Sequence, residues 1–256
     1  MRTVRAAAVL TAALAATAFA GSGGGNGHLV TEVRNVRGFT NVEVSGPVDA
    51  VVREGREFQV KVKVDENLQS AIHTELKGDT LQIRVDNNAH PDDDARIEIT
   101  LPDLRGVAAA GSGDVTVTGS RRKDLSLASA GSGDFTYQGP AAGLRLGTSG
   151  SGDVTIELSG DVEDVEIGTK GSGDINIEGG HAHELIVATS GSGSVNAEEL
   201  TARDGKLAIA GSGDIEATLE GGHASFAVAG SGSINWRGSA NVDAQVRSGS
   251  GDINHQ

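Results

Sequence analysis

Between residues 111 and 251, the tripeptide Gly-Ser-Gly occurs eight times at nearly constant spacing. Successive copies begin 20, 19, 21, 20, 20, 19 and 19 residues apart, counted from the first glycine of each copy. A fixed period of this length is typical of stacked repeat proteins, in which each unit buries its apolar face only against its neighbours. The spacing therefore predicts a rod built from equivalent units.

Each repeat contains two short segments in which apolar and polar residues alternate, for example 114–117 (DVTV) and 125–128 (LSLA). Such alternation indicates β-strands with one buried face. Twenty residues are too few for a propeller blade, which needs about 40, and the leucine-rich repeat pattern is absent. We predict an all-β parallel β-helix, or solenoid, of about eight coils of ~20 residues. Its predicted interior column is Val115, Phe135, Val154, Ile175, Val195, Ile215, Ile234 and Ile253.

The glycines of the motif have two competing interpretations. They could supply positive φ or a close backbone approach at a corner, or they could cradle a phosphate. Phosphate loops end in Lys followed by Ser or Thr and open a helix, whereas these copies lack the lysine and open strands. We therefore predict a structural ladder of turns. Its members are Gly111, Gly113, Asp114, Gly131, Gly133, Asp134, Gly150, Gly152, Asp153, Gly171, Gly173, Asp174, Gly191, Gly193, Ser194, Gly211, Gly213, Asp214, Gly230, Gly232, Ser233, Gly249, Gly251 and Asp252.

The residue after the second glycine is Asp in six copies and Ser in two. Stacked acids are typical of calcium-binding β-rolls, but that motif runs G-G-x-G-x-D with a nine-residue period. The alternative is that each side chain accepts a backbone N–H and caps its turn. Like charges ~4.8 Å apart repel by less than ~1 kcal/mol in water, and a hydrogen bond worth about 1 kcal/mol offsets this. We expect capping, with weak calcium binding as the alternative.

Residues 29–105 lack the repeat but contain four alternating segments, 39–45, 58–64, 80–85 and 95–101. We therefore predict a β-rich N-terminal region over 29–105, followed by the solenoid over 106–256. Residues 65–72 (DENLQSAI) predict one or two helical turns, with Asp65 as the N-cap.

The first 20 residues have the features of a secretory signal peptide. Arg2 and Arg5 precede an apolar stretch, which ends in an A-x-A site with cleavage after Ala20. This stretch is too short and too rich in alanine for a transmembrane helix, and no later apolar run is long enough to span a bilayer. Residues 21–28 predict a flexible leader. We expect an exported protein, in the periplasm or at the cell surface, that does not span the membrane after signal removal.

Composition and spacing argue against several classes of function. The formal net charge of −14 disfavours nucleic acid as a partner, and the absence of cysteine excludes thiolate chemistry and a lipidated N-terminal cysteine. His181 and His183 could share a metal, but His223 lies two coils away and no third ligand is evident. Trp236 and Tyr137, the single Trp and Tyr, leave little for stacking on sugars. We therefore expect no catalytic, cofactor-binding or metal-binding residues, and no enzyme.

Several segments together resemble a known family. The sequence LPDL at 101–104, the motif GSGDV at 111–115 with its repeats, FTNVEVSGP at 39–47 and DENL at 65–68 are similar to the bacterial putative autotransporter adhesin, head GIN domain family. The resemblance covers about residues 30–254. It implies a right-handed β-helical exported protein with an N-terminal β region and no catalytic or cofactor residues. An autotransporter also carries a C-terminal membrane barrel, which we do not expect in this sequence because its repeats run to the end.

We predict a non-enzymatic, adhesin-like interaction module of the cell envelope that binds an envelope glycan or protein through the long faces of its coils. The candidate face is a column of polar residues: Thr116, Thr136, Thr155, Asn176, Asn196 and Asn235. One alternative is a polysaccharide-binding or polysaccharide-degrading β-helix. Another is a periplasmic scaffold that forms a homo-oligomer through its C-terminal coil, since an open sheet edge favours pairing.

Overall fold

A computed structural model describes residues 23–256 except 93, 120 and 122. The predicted signal peptide and its cleavage site at Ala20 lie outside the described residues. The described chain contains one short 3-10 helix, η1 (Glu66–Ala71), and 22 strands. The strands are β1 (Leu29–Arg34), β2 (Asn41–Gly46), β3 (Asp49–Glu54), β4 (Gln59–Asp65), β5 (Ile72–Lys77), β6 (Thr80–Val85), β7 (Arg96–Leu101), β8 (Gly106–Gly111), β9 (Val115–Thr118), β10 (Leu125–Gly131), β11 (Phe135–Gly139), β12 (Leu144–Gly150), β13 (Val154–Leu158), β14 (Asp161–Thr169), β15 (Ile175–Glu178), β16 (His181–Thr189), β17 (Val195–Gly211), β18 (Ile215–Leu219), β19 (His223–Gly230), β20 (Ile234–Gly238), β21 (Asn241–Gly249) and β22 (Ile253–His255).

The strands of the repeats form two parallel sheets that enclose one core. Sheet A contains β8, β10, β12, β14, β16, the second part of β17, β19 and β21. Sheet B contains β9, β11, β13, β15, the first part of β17, β18, β20 and β22. The chain makes about seven turns of ~20 residues between the first and last Gly-Ser-Gly. The predicted all-β solenoid is confirmed.

The interior column predicted from the sequence lies in register through sheet B. Val115 pairs with Phe135, Phe135 with Val154, and the pairing continues to Ile253. All of these residues are buried except Ile253 in the last coil, which is partly buried. Leu127 and its counterparts face them from sheet A. Because apolar residues recur at every second position, each coil buries one side of both of its strands.

The solenoid begins before the first Gly-Ser-Gly. Strand β2 pairs with β8 in sheet A, and β3 pairs with β9 in sheet B, so residues 41–54 form a coil of the same stack. Strands β6 and β7 pair with the other edges of β2 and β3 and form a further coil. The coil of β2 and β3, although first in sequence, therefore lies between the coil of β6 and β7 and the coil of β8 and β9. Residues 102–105 then run past the coil of β2 and β3 to reach β8, and the N–H of Arg105 donates to the carbonyl of Thr40.

Antiparallel strands close the N-terminal end of the stack. Strand β4 pairs antiparallel with β7, β1 with β4, and β5 with β6. Residues 23–28, which we predicted to be a flexible leader, hydrogen-bond across this end: the N–H of Gly27 donates to Oδ1 of Asp65, 2.8 Å away, and that of Asn26 to the side chain of Asn67. Asp65 does precede η1, but its side chain binds Gly27 and makes no capping bond to the helix.

Polar side chains cover the C-terminal end. Gln245 and Arg247 of β21 occupy the inward positions that apolar residues occupy in β19. Arg247 reaches Asp252 across the end, with Nη1 3.2 Å from Oδ1, and the ring of His255 stacks on Trp236 at a centroid distance of 3.9 Å. Solenoids need terminal repeats with a polar outer side. These side chains cover the core at the last described coil, and pairing with a second copy through this end stays a prediction.

The corners explain the glycines. Gly131 has φ +152°, and a Cβ added to it would lie 2.0 Å from the carbonyl oxygen of Gly111 in the preceding coil. A Cβ on Gly133 would lie 2.2 Å from the carbonyl oxygen of Gly113. Both contacts are with backbone, which cannot move without breaking the ladder of coils. Positive φ and close backbone approach, the two structural reasons that the sequence offered, both operate at these corners.

We expect the substitution Gly133→Ala to lower the free energy of unfolding by about 2–3 kcal/mol, because the added methyl overlaps a backbone oxygen. The matched control is Gly147→Ala in β12, where an added Cβ has no atom within 4 Å. This control should change stability by no more than about 0.5–1 kcal/mol. Urea denaturation of both variants measures the difference, and equal losses would contradict the close-approach explanation.

Candidate functional site

The Asp and Ser residues of the motif form a continuous ladder along one corner of the solenoid. Oδ1 of Asp114 accepts the N–H of Asp134 at 2.8 Å, and Oδ1 of Asp134 accepts that of Asp153 at 2.9 Å. The pattern continues through Asp174 to Ser194. The carboxylates do accept backbone N–H groups, as predicted. However, each donor belongs to the next coil and not to the same turn, so the ladder joins coils together.

Serine continues the ladder at longer distances. Oγ of Ser194 accepts the N–H of Asp214 at 3.2 Å, and Oγ of Ser233 accepts that of Asp252 at 3.4 Å. Where Asp is the acceptor the distances are 2.6–2.9 Å. The shorter serine side chain explains the difference, because its oxygen lies one bond nearer the main chain. A hydroxyl therefore maintains the ladder with a weaker bond.

A hidden copy of the motif starts the ladder. Oδ1 of Asp49 accepts the N–H of Asp114 at 2.9 Å, and Gly46 pairs with Gly111. Residues 46–49 (GPVD) thus occupy the place of Gly-Ser-Gly-Asp in the coil of β2 and β3. This copy is not recognisable as Gly-Ser-Gly-Asp in the sequence, because Pro47 replaces the serine and Val48 replaces the second glycine. The spacing of Gly46 and Asp49, three residues apart as in every repeat, was the available signal.

The ladder does not gather metal ligands. In the part of the chain that the structure describes, no group of three or more His, Asp or Glu side chains could hold a metal ion. In every ladder aspartate except Asp252, whose Oδ1 accepts from Nη1 of Arg247, one carboxylate oxygen accepts a backbone N–H. Each of these bonds brings a positive amide dipole to a carboxylate and so offsets a part of the repulsion between stacked acids.

We expect Asp153→Ala to destabilise the protein by about 1 kcal/mol, because the N–H of Asp174 loses its acceptor. Relief of repulsion between neighbouring carboxylates offsets a part of this loss. The matched control is Asp153→Ser, which introduces the residue that the ladder already uses at two positions. It should stay within about 0.5 kcal/mol of the parent protein in chemical denaturation. A serine variant as unstable as the alanine variant would contradict the ladder's role.

Calcium should leave the thermal stability unchanged. A ligand that binds only the folded state raises the melting temperature, so melts in calcium and in excess chelator compare the two interpretations of the ladder directly. We expect the two curves to coincide. A rise in calcium that disappears in Asp153→Ser would show that the carboxylates bind the ion.

A second ladder, on the outer face of sheet B, contains the six polar residues predicted from the sequence. Thr116 pairs with Thr136, and each later member pairs with the next, so that all lie in one column. The structure adds Glu216 and Asn254 to this column. The eight side chains, which we call the sheet B column, recur about every 4.8 Å. The period of the repeat places both residues at this position. The predicted column did not include them, and Glu216 differs from its other members in carrying a carboxylate.

The neighbouring positions on sheet B are also polar. Gln138 pairs with Glu157, and Glu157 with Glu178, two residues along from the sheet B column. The amide of Gln138 donates to Oε2 of Glu157 at 2.7 Å. Alternate residues on one face of a strand are about 7 Å apart. The outer face of sheet B is therefore a grid of hydroxyl, amide and carboxylate groups with a fixed spacing in both directions.

His183 and His223 both lie near Asp204, but among the described residues they are not part of a group of three or more side chains that could hold a metal ion. His181 and His183 are both exposed in β16, on the same side of the strand as predicted. His223 donates its backbone N–H to Oδ1 of Asp204 at 2.7 Å, and this bond lowers the pKa of Asp204. Its ring nitrogen Nδ1 lies 3.0 Å from Oδ1 of Asp243. These contacts link one coil to the next along the stack.

An ionic cluster around the buried side chain of Glu54 lies beside residues 102–105. The Glu54 side chain is only 2% exposed, and its Oε1 lies 3.6 Å from Nζ of Lys123 and 3.7 Å from Nε of Arg121. Arg121 and Lys123 thus both pair with a buried acid. Lys123 also bonds to Asp103, and this bond lowers the pKa of Asp103. Burial, with Glu54, raises the pKa of Tyr137 to about 12.

The space beside this cluster has a volume of about 10 Å³, which is room for a single water at most. The cluster therefore fixes the return of the chain to β8 and offers no cleft for a larger ligand.

Among residues 23–256 as described, no helix is long and apolar enough to cross a membrane.

The fold and its outer ladders define a class: a β-solenoid capped at its N-terminal end, with regular polar columns along its length. The family model described as "Putative auto-transporter adhesin, head GIN domain" matches residues 38–199 and 189–256. The chain belongs to this family. The resemblance drawn from the motifs is confirmed, and no protein with a curated description matches the chain.

Solved structures share the fold. A putative adhesin from Parabacteroides merdae superposes with a TM-score of 0.83 at 21% identity, covering 91% of this chain and 98% of that one. A protein from Parabacteroides distasonis, named a putative lipid binding protein, superposes with a TM-score of 0.77 at 24% identity, covering 91% of this chain and 98% of that one. A putative adhesin from Parabacteroides distasonis superposes with a TM-score of 0.76 at 21% identity, covering 91% of this chain and 99% of that one. At these identities the likeness establishes the fold.

Proposed function

We propose that this protein is an exported, non-enzymatic adhesion module of the bacterial envelope, which binds an extended partner along the outer face of sheet B. The observation that carries the proposal is the sheet B column, whose eight members stand in register. Folding requires the inward residues of these strands to be apolar, but it leaves the outward positions free. A run of hydroxyl and amide groups at one outward position therefore supports a binding role.

The chemistry of this face favours a neutral, hydrogen-bonding partner, such as an envelope glycan or a protein backbone. Thr and Asn side chains both donate and accept hydrogen bonds. The single Trp and Tyr are buried, which leaves neither for stacking on a sugar ring. The acidic ladder lies two residues before the column, and the formal net charge of −14 repels polyanions. Membership of a family described as adhesin heads supports export and adhesion.

The test is a triple variant, Thr136→Ala, Thr155→Ala and Asn176→Ala, in which three adjacent members of the column are truncated. We expect binding to glycan arrays or to native envelope to fall at least about tenfold, because each lost hydrogen bond contributes about 1 kcal/mol. The matched control is Ser126→Ala with Ser225→Ala on the outer face of sheet A, which should bind like the parent.

Three results would overturn the proposal. Full binding by the triple variant would show that the sheet B column does not bind the partner. Absence of binding by the parent protein to glycans, cells and envelope would remove adhesion altogether. Turnover of any member of a broad polysaccharide panel would replace the adhesion module with an enzyme.

A further inference from the structure

Residues 23–28, which we call the N-terminal clasp, lie across the N-terminal end of the stack and contain the only Asn-Gly pair in the sequence, Asn26-Gly27. Both residues are exposed. Asparagine cyclises most readily when glycine follows it, because glycine has no side chain to hinder attack by its own backbone nitrogen. This pair is therefore a candidate site of spontaneous deamidation, and the proposed function does not use it.

The reaction consumes only water. A bond forms between the backbone nitrogen of Gly27 and Cγ of Asn26, while the bond from Cγ to Nδ2 breaks and ammonia leaves with the amide proton of Gly27. Water then opens the cyclic imide at either of its two carbonyl groups. One opening gives aspartate. The other gives isoaspartate, in which the main chain passes through the former side chain and is longer by one methylene group.

The docked clasp holds the nitrogen that would attack. The N–H of Gly27 donates to Oδ1 of Asp65 at 2.8 Å, and Asp65 is completely buried. Its other oxygen, Oδ2, has no hydrogen-bond partner among the described residues. Cyclisation requires the nitrogen to lose its proton, but the carboxylate holds this proton and repels the negative charge that would form. Burial strengthens that repulsion. The docked clasp therefore protects Asn26.

The clasp also fits its seat closely on both sides of Asn26. The N–H of Asn26 donates to Oδ1 of Asn67 at 3.1 Å, and the side-chain amide of Asn67 donates to the carbonyl of Gly24 at 3.0 Å. A Cβ added to Gly25 would lie 2.3 Å from Oδ2 of Asp65. Consecutive backbone N–H groups thus meet fixed acceptors, and a main chain lengthened between them no longer matches both.

We propose that Asn26 is a deamidation site that makes the N-terminal clasp a one-way latch. While the clasp is docked, Asp65 protects the Asn-Gly pair. When the clasp opens, Asn26 cyclises and becomes a mixture of aspartate and isoaspartate. Isoaspartate moves one of the two donor N–H groups off its acceptor, and aspartate adds a negative charge next to the bond with Asp65. Opening of this end of the stack thus becomes permanent as the protein ages.

Ageing of the purified mature chain, followed by mass spectrometry of the peptide that contains residue 26, tests the site. We expect Asn26 in the folded protein to deamidate at least about tenfold more slowly than in a synthetic peptide of residues 23–30, because only molecules with an open clasp react. Fragmentation that separates aspartate from isoaspartate identifies both products.

Two variants open the clasp by different routes. Asn67→Ala removes two of its hydrogen bonds at an exposed position without touching Gly27, and should speed deamidation about fivefold. Asp65→Ala removes the acceptor of the attacking nitrogen and should speed it further. The first variant keeps the test decisive where loss of a buried side chain impairs folding. The matched control is Glu75→Ala, an exposed acid of β5 that pairs with Arg84, and it should react like the parent.

The aged protein tests the latch. Its isoaspartate fraction should melt about 2–4 °C below the fresh protein, because the clasp no longer contributes its bonds. The amide hydrogens of residues 24–28 should exchange faster in the same fraction. Asn26→Gln, whose longer side chain would have to close a six-membered ring, should age without either change.

The proposal fails on any of four results. Equal rates in the folded protein and in the peptide would show that the clasp does not protect Asn26. An unchanged rate in Asn67→Ala would show the same. Slower deamidation in Asp65→Ala would show that the carboxylate takes up the proton and promotes cyclisation. Unchanged melting and exchange in the isoaspartate fraction would remove the latch. None of these results bears on the sheet B column.

Discussion

In-register stacking of parallel strands is the constraint on which the rest of this structure depends. Coils repeat about every 4.8 Å, and at the corners this distance leaves no room for a Cβ between the backbone of Gly133 and that of Gly113. The same distance lets a carboxylate reach the amide of the next coil, as Asp114 reaches Asp134. In the repeats, this stacking distance favours glycine at the first and third positions of the corner and a hydrogen-bond acceptor at the fourth, so the motif recurs from coil to coil.

Stacking also separates the demands of folding from those of binding. Inward positions are mostly apolar in both sheets, whereas outward positions are free to differ. Sheet B uses this freedom for a grid of hydroxyl, amide and carboxylate groups, and sheet A uses it for a smooth apolar surface with Lys170 at its side. One core thus supports two surfaces of opposite chemistry. The proposed adhesion face follows from this division, because its outward side chains can be altered without disturbing the core.

The ends of the stack show how a periodic structure stops. At the N-terminal end, antiparallel β1, β4 and β5 interrupt the parallel ladder, and residues 23–28 bind across it. At the C-terminal end, Gln245 and Arg247 take core positions, and His255 covers Trp236. Both solutions place polar groups where another coil would otherwise add, which limits uncontrolled growth of the sheets.

By itself, the sequence determined the relations that repeat with its period: the corners, the interior column from Val115 to Ile253, and six of the eight members of the sheet B column. A period fixes which residues become neighbours, since each coil places like above like. Tertiary structure alone decided what lies outside the period. The coil of Asp49 follows no Gly-Ser-Gly, and the ion pair between buried Glu54 and Lys123 joins segments far apart in sequence. The coil of β6 and β7 lies outside the coil of β2 and β3 that precedes it in sequence. Packing against the end of the stack sets these contacts, and no local pattern records them.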